Sequence, residues 1–326
     1  MAYSAEVIRV AREELEQLRS DYESKQNQRL FAAYTQVPRL KEIDLQLRRT
    51  MAAAAQAAFV KGEDGVKAME QVRDVNLSLQ NERKALVAAN FAPDFLLEGP
   101  VCPACGGSGY VGSAMCDCLK KLCRKAQKKA LAALTTGNEQ FENFNLNYYP
   151  NEVDPVFQVS PRKLMEKTLQ VCQKYAYEFD GKQNLLFVGG TGLGKTFLSA
   201  CIANVVAEKG CSVAYESAPM LFEKLNKNFF SPDDASRQAY ESLMSSDLLI
   251  IDDLGTEMTN NFTITALYSL LNDRLLSGKS MIVSTNLNVS EIAKRYSPQI
   301  ASRLEGCFKP ATFLGKDIRV LKNRGM

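Results

Sequence analysis

Apolar residues in the first part of the chain recur at spacings of three and four, the rhythm of amphipathic helices. Ile8, Ala11, Leu15, Leu18 and Tyr22 mark a helix over residues 4–30, and Pro38 punctuates it. Leu40, Ile43, Leu47, Met51, Ala54 and Ala58 mark a second helix. After a GEDG turn at Gly62–Gly65, Val66, Met69, Val72 and Leu79 mark a third, running to about Asn90. Three helices with short connections predict an antiparallel bundle or helical hairpin, suited equally to a plain structural role and to docking another protein. Beyond Gln183 the pattern changes. Apolar runs (LLFVG, CSVAYES, DLLIIDD, SMIVSTN) alternate with helical stretches at Thr196–Gly210, Met220–Met244, Thr263–Leu276 and Val289–Leu304, and Ala311–Leu321 reads as extended. Buried strands alternating with helices predict a parallel α/β sheet.

Between these regions lie four shorter stretches. Phe91–Pro100 holds two prolines and a glycine and reads as a linker. A cysteine-rich segment follows, then a basic helix over residues 119–137. Phe141–Pro150, FENFNLNYYP, is aromatic and precedes a helix at Pro161–Phe179; its rings read as core, or as the wall of an adenine pocket. The expected divisions are a helical domain over 1–95, a cysteine knuckle with the basic helix over 96–138, and an α/β domain over 139–326. A length of 326 residues agrees with more than one domain.

The run GGTGLGKT after the first of these strands completes the P-loop pattern GxxxxGK[ST]. Gly189, Gly190, Thr191, Gly192, Leu193 and Gly194 would curl the backbone so that successive N–H groups face one anion. The helix that starts there adds its positive end. Lys195 would reach the β- and γ-phosphates of ATP, and the Thr196 hydroxyl would hold Mg2+.

Asp252 and Asp253 end an apolar strand, where paired carboxylates are costly without a cation. Asp252 suits magnesium and Asp253 suits orientation of the attacking water, with Glu257 as the alternative. Asn286, after the strand that ends in Ser284 and Thr285, would hydrogen-bond water or the γ-phosphate. Arg303 and Arg319 would neutralise charge on that phosphate, in cis or from a neighbouring subunit.

Cys102 and Cys105 form a CxxC pair, and Cys116 and Cys118 a CxC pair. Four thiolates with intervening glycines suit a closed, structural Zn2+ site; an iron–sulfur cluster fits this spacing less well. Cys123 is a spare cysteine on the following helix. There is no histidine, which excludes His-based catalysis and His metal ligands. The basic helix carries Lys120, Lys121, Arg124, Lys125, Lys128 and Lys129 with no acid offsetting them, a solvated face or a phosphate-contacting one. Net charge is only +3, so any nucleic-acid surface is local. No apolar run reaches the ~18 residues of a membrane span, and the start of the chain is too charged for a signal peptide. A cytoplasmic protein is expected.

Taken in order, the P-loop, IDDLG, STN, RLEG and GKDIR resemble an AAA+ ATPase. The resemblance is to bacterial replicative helicase loaders of the DnaC/DnaI type and to IstB-type transposition ATPases, and runs from about Phe141 to the end. The helical front and cysteine knuckle also resemble the DnaI-like branch. It implies that Lys195 and Thr196 are Walker A and that Asp252 and Asp253 are Walker B. It further implies that Asn286 is sensor one, Arg303 an arginine finger in trans, and Arg319 sensor two. The implied partners are a hexameric replicative helicase, single-stranded DNA in a central pore, and further copies of the chain joined by ATP-dependent self-association. Glu223–Phe230, EKLNKNFF, offers lysines and aromatics for such DNA, or is an ordinary amphipathic helix. Two departures stand out: Asp-Asp where many AAA+ proteins carry Asp-Glu, and no evident C-terminal helical lid. The alternatives are a transposition helper, a zinc-bearing DNA-binding module with a regulatory nucleotide site, and a metabolic P-loop kinase, which would need an acceptor-binding lid.

Overall fold

The computed structural model describes residues 3–57, 63–96, 99–134 and 138–323. Ala58, Gly62 and the last residues of the basic stretch lie outside them. The chain divides into two compact units, Glu14–Cys116 and Met1–Glu13 with Asp117–Met326.

Three helices lead the chain: α1 (Ala5–Gln36), α2 (Pro38–Ala57) and α3 (Glu63–Asn90). Pro38 begins α2, where a missing N–H costs nothing. Helices α2 and α3 run antiparallel: Arg39 pairs with Glu82 at 2.8 Å, Arg83 with Asp44 at 2.7 Å, and Asn76 donates to Thr50 at 2.7 Å. A small antiparallel ladder follows, β1 (Tyr110–Val111) with β2 (Ala114–Met115).

The larger unit holds α4 (Asp117–Leu134), two single 3-10 turns (Phe141–Asn143 and Leu146–Tyr148), and α5 (Pro161–Tyr177). Then strands and helices alternate: β3 (Leu185–Val188), α6 (Lys195–Glu208), β4 (Val213–Ser217), α7 (Ala218–Phe230), α8 (Asp234–Ser245), β5 (Leu248–Leu254), α9 (Asn261–Leu276), β6 (Ser280–Thr285). The unit closes with α10 (Val289–Arg295), α11 (Pro298–Cys307), β7 (Lys309–Thr312) and α12 (Ile318–Asn323). The five strands form one sheet, ordered β4-β5-β6-β3-β7, with every neighbouring pair parallel. This is the parallel α/β sheet flanked by helices that the alternating pattern predicts. Among the described residues no helix is long and apolar enough to cross a membrane.

Three expected elements are differently built. The helix over Met220–Met244 is two, because Asp233 caps α8 through a reciprocal bond with Ser236. The helix over Val289–Leu304 is also two: Ser297 caps α11 and Pro298 opens it. The segment read as extended holds strand β7 and then helix α12. The basic α4 is offset by acids after all. Lys120 pairs with Asp117 at 3.0 Å and Lys128 with Glu208 at 2.5 Å. Buried Gln127 fastens the helix by donating to Cys211 O and accepting from Val213 N.

Each sheet face has its own core. Leu185, Phe187, Leu248, Ile250 and Ile282 pack with Leu198 and Ile202 of α6. Leu186, Leu249, Ile251, Met281 and Val283 pack with Leu221 of α7 and Leu267 of α9. Arg274, fully buried, crosses the second layer and donates to Leu243 O, Met244 O, Ser246 Oγ, Ser246 O and Ser280 O. It thereby caps the last carbonyls of α8 and ties them to the start of β6. Burial pulls its pKa down to about 10. Arg274→Met leaves those carbonyls unpaired and is expected to cost about 3 kcal/mol in urea denaturation; a change below about 0.5 kcal/mol, the range of an ordinary surface substitution, would contradict that role.

Candidate functional site

The loop between β3 and α6 is held from three directions. Tyr149, buried beneath it, donates to Leu193 O at 2.8 Å. Ile318 N donates to Gly192 O at 2.9 Å. The Asp317 carboxylate lies where a Cβ on Gly192 would fall, and Gly192 has φ +70°, so only glycine fits there. Lys195 is buried, and its ammonium donates to Gly189 O at 2.8 Å and Gly190 O at 2.7 Å. Burial lowers its pKa, against the pull of Asp253 and Asp252.

A crevice of about 390 Å³ opens over this loop, lined among others by Phe144, Tyr148, Lys195, Asp253, Ile318 and Arg319. The aromatic stretch divides between core and crevice: Phe141 is core, Phe144 and Tyr148 line the crevice, and Tyr149 does both.

The paired acids reach the same side of the sheet through a β-bulge. Along β5, Leu248 and Ile250 face α6, and Leu249 and Ile251 face the other layer. Strict alternation would send Asp252 to the α6 side and Asp253 away. The register between β5 and β6 shifts between Ile251 and Leu254, and Asp253 takes φ +56°. The extra residue re-aims Asp253 into the crevice with Lys195 and returns Leu254 to the far core. Burial raises the Asp253 pKa, Asp252 adds to the effect, and Lys195 and Arg319 oppose it.

Asp252 is 6% exposed. Its Oδ2 accepts from Tyr215 Oη at 3.0 Å, and its Oδ1 accepts from Ser284 Oγ. Ser284 Oγ also accepts from Asp253 N at 2.9 Å. Burial, then the adjacent carboxylate, push the Tyr215 phenol well up, so it stays a donor. Thr196 and Asp252 line one cavity of about 790 Å³. A hydroxyl and a carboxylate there are the hard oxygen donors that Mg2+ takes.

The other candidates divide. Arg319, on α12, lines the crevice. Glu257 is committed elsewhere: it is buried, accepts from Gly255 N at 2.9 Å, and accepts from Tyr296 Oη. Asn286 is exposed just past β6, and its Oδ1 would lie 3.5 Å from a Cβ on Gly255; it does not line the crevice. Arg303 is held over the Tyr268 ring, 4.2 Å from its centroid, and donates to Tyr268 Oη at 2.7 Å and Asn272 Oδ1 at 3.1 Å. It too stands outside the crevice lining. Tyr215, Ser284 and Asp317 escaped notice as site residues, because their roles depend on strand register and on a return of the chain that local spacing does not encode.

The sulfur atoms of Cys102, Cys105, Cys116 and Cys118 lie within 4.8 Å of one another, with Cys102 and Cys116 at 3.9 Å. Tetrahedral zinc thiolates stand about 3.8 Å apart, from a Zn–S bond of ~2.3 Å, so the donor set fits Zn2+. Gly109 N donates to Cys105 Sγ at 3.3 Å, and Cys116 N to Gly109 O at 2.8 Å, which fold the knuckle around the thiols. Cys123 is fully buried on α4 and is not one of the four.

A family model described as IstB-like ATP binding protein matches residues 126–301. The chain is 26% identical over 137 residues to the replicative helicase loader DnaC of Escherichia coli (strain K12), covering 42% of this chain and 56% of that protein. It is 28% identical over 188 residues to the chromosomal replication initiator protein DnaA of Aliarcobacter butzleri (strain RM4018), covering 56% and 41%. A crystal structure of the DnaC helicase loader aligns with a TM-score of 0.44 at 21% identity, over 53% of this chain and 98% of that one. The chain spans about half the length of the curated relatives it matches.

Two outcomes are expected at the site. In calorimetric titration with ATP, Lys195→Ala and Gly192→Ala should each lose binding by about 100-fold or more, the former through a lost charge-assisted contact and the latter through the Asp317 overlap; unchanged affinity would contradict the cradle geometry. Metal analysis of the purified chain should find one zinc per molecule, lost in Cys105→Ser; retention by that variant would remove the four-thiolate assignment.

Proposed function

The chain belongs to the IstB-like ATP-binding proteins, and from that premise we propose that it hydrolyses ATP in the P-loop crevice and uses the cycle to deliver a hexameric replicative helicase onto single-stranded DNA. The observation that carries the ATPase reading is the bulge that aims Asp253 at the Lys195 side while Asp252 stays on the Thr196 side.

The backbone N–H groups of residues 189–194 and the start of α6 receive the phosphates. Lys195 exchanges the carbonyls of Gly189 and Gly190 for β- and γ-phosphate oxygens. Thr196 and Asp252 are the residues that would hold Mg2+, which when bound neutralises charge on those oxygens. Asp253 accepts a hydrogen bond from the attacking water and aligns it with the γ-phosphorus as the bond to the β-phosphate oxygen breaks. Arg319 stabilises the departing charge in cis. Arg303 does so from a neighbouring copy, a role that agrees with its absence from the crevice lining of its own chain. Asn286, exposed on the turn after β6 and outside the crevice lining, would act as sensor one only by turning inward once nucleotide is bound. Asp253, one methylene shorter than Glu, makes hydrolysis slow and sensitive to assembly.

The loader reading draws on the likeness to DnaC. Three features agree with it. The Glu14–Cys116 unit presents exposed Phe31 and Met51, suited to docking a partner. Zn2+ on the four cysteines would hold the knuckle closed, with no open position. In the larger unit Phe229 and Phe230 are exposed, pack with Phe262 at centroid distances of 5.8 and 5.2 Å, and follow Lys227 on α7; they suit stacking of unpaired bases. A cytoplasmic location goes with these roles. The name of the matching family favours a second reading, a helper ATPase in transposition.

Asp253→Asn keeps a residue tolerant of positive φ, so it should fold and bind ATP while turnover falls by about 10²–10⁴-fold. Arg303→Ala should bind ATP and fail to hydrolyse it, and mixing the two variants should restore part of the turnover, since each supplies what the other lacks. Full hydrolysis by Arg303→Ala alone would contradict the assignment in trans. Co-sedimentation with a DnaB-type hexamer should depend on ATP; capture of a transposase in its place would select the second reading.

A further inference from the structure

Three side chains stand in a row across neighbouring strands. Parallel pairing places Tyr215 opposite Ile250 and Ser217 opposite Asp252 between β4 and β5, and Ile250 opposite Ile282 between β5 and β6. Residues two apart share a face, so Tyr215, Asp252 and Ser284 all point to the α6 side. The central carboxylate thus receives one hydroxyl from each flanking strand, Tyr215 on Oδ2 and Ser284 on Oδ1. The Ser284 hydroxyl has one proton. Because its oxygen accepts from Asp253 N, that proton is directed at Asp252.

We propose that Tyr215 and Ser284 are positioning residues that clamp the Asp252 carboxylate and so set the divalent-cation affinity of the nucleotide site, a role that rests on the ATP reading above. An aspartate carboxylate turns readily about the bond to its single methylene. With one donor on each oxygen the plane is fixed, and the remaining lone pairs are left for the cavity that Asp252 shares with Thr196. Ser284 alone anchors both acids, through the Asp252 side chain and the Asp253 backbone, so it also holds the bulge in register. Outer hydroxyls that merely satisfy a buried carboxylate would affect stability alone. Outer hydroxyls that orient a metal ligand change metal affinity by about 10–100-fold when removed.

The test is binding of a fluorescent ATP analogue to the full chain, first in EDTA and then across a Mg2+ titration, for wild type, Tyr215→Phe and Ser284→Ala. Thermal unfolding identifies which variants are folded; Tyr215→Phe keeps the ring and loses only the hydroxyl. The expected result is unchanged affinity in EDTA and a half-saturating Mg2+ concentration raised about tenfold in each variant. Two results would overturn the clamp: a Mg2+ requirement equal to wild type in either folded variant, or equal losses with and without Mg2+. Failure of the wild-type chain to bind the analogue under both conditions would instead remove the ATP reading on which the clamp stands.

Discussion

Consecutive side chains on a β-strand point to opposite faces of its sheet, and a phosphate site that uses two adjacent carboxylates has to break that rule. Strand β5 breaks it with one extra residue. Up to Ile251 its side chains alternate between the two cores; at Asp253 the backbone turns left-handed; and Leu254 is again in the far core. The left-handed conformation is unfavourable for a residue with a Cβ and persists only where the surroundings impose it. Here they are Ser284, which accepts from Asp253 N, and the neighbouring strand β6, which resumes pairing at Leu254 with Thr285.

Gathering charge in a partly buried place has consequences all round the crevice. Burial works against ionisation of both Lys195 and Asp253, and each favours the charged form of the other. Asp252 is stabilised by two hydroxyl donors. The loop that faces these groups is shaped by chain that returns from the far end of the sequence: Asp317 excludes every side chain at Gly192, and Ile318 holds the carbonyl of the same residue. The P-loop and helix α12 therefore form one mechanical piece, which links the phosphate cradle to Arg319.

The parts legible in the sequence were those encoded by local spacing. GGTGLGKT lies between a strand and a helix, twin aspartates end an apolar run, and CxxC with CxC gathers four sulfurs, each placed as its local spacing predicts. Two helix breaks were also written locally, at Ser231-Pro232-Asp233 and Ser297-Pro298, and a strict reading of proline and capping residues would have found them. The rest depends on tertiary register. Glu257 stands in the sequence as the alternative to Asp253, yet Tyr296, thirty-nine positions away, accounts for one of its oxygens. The acids that offset α4 include Glu208, which only packing brings near. Nothing local predicts that a strand tyrosine and a strand serine will meet one carboxylate from either side.

The most direct measurement is a crystal structure of the chain with Mg2+ and a non-hydrolysable ATP analogue. Asp253 should keep its left-handed backbone and face the γ-phosphate across from Lys195, with the metal between Thr196 and Asp252. A straight β5 with Asp253 turned toward the α9 side, or an analogue bound away from the loop of residues 189–194, would contradict the account.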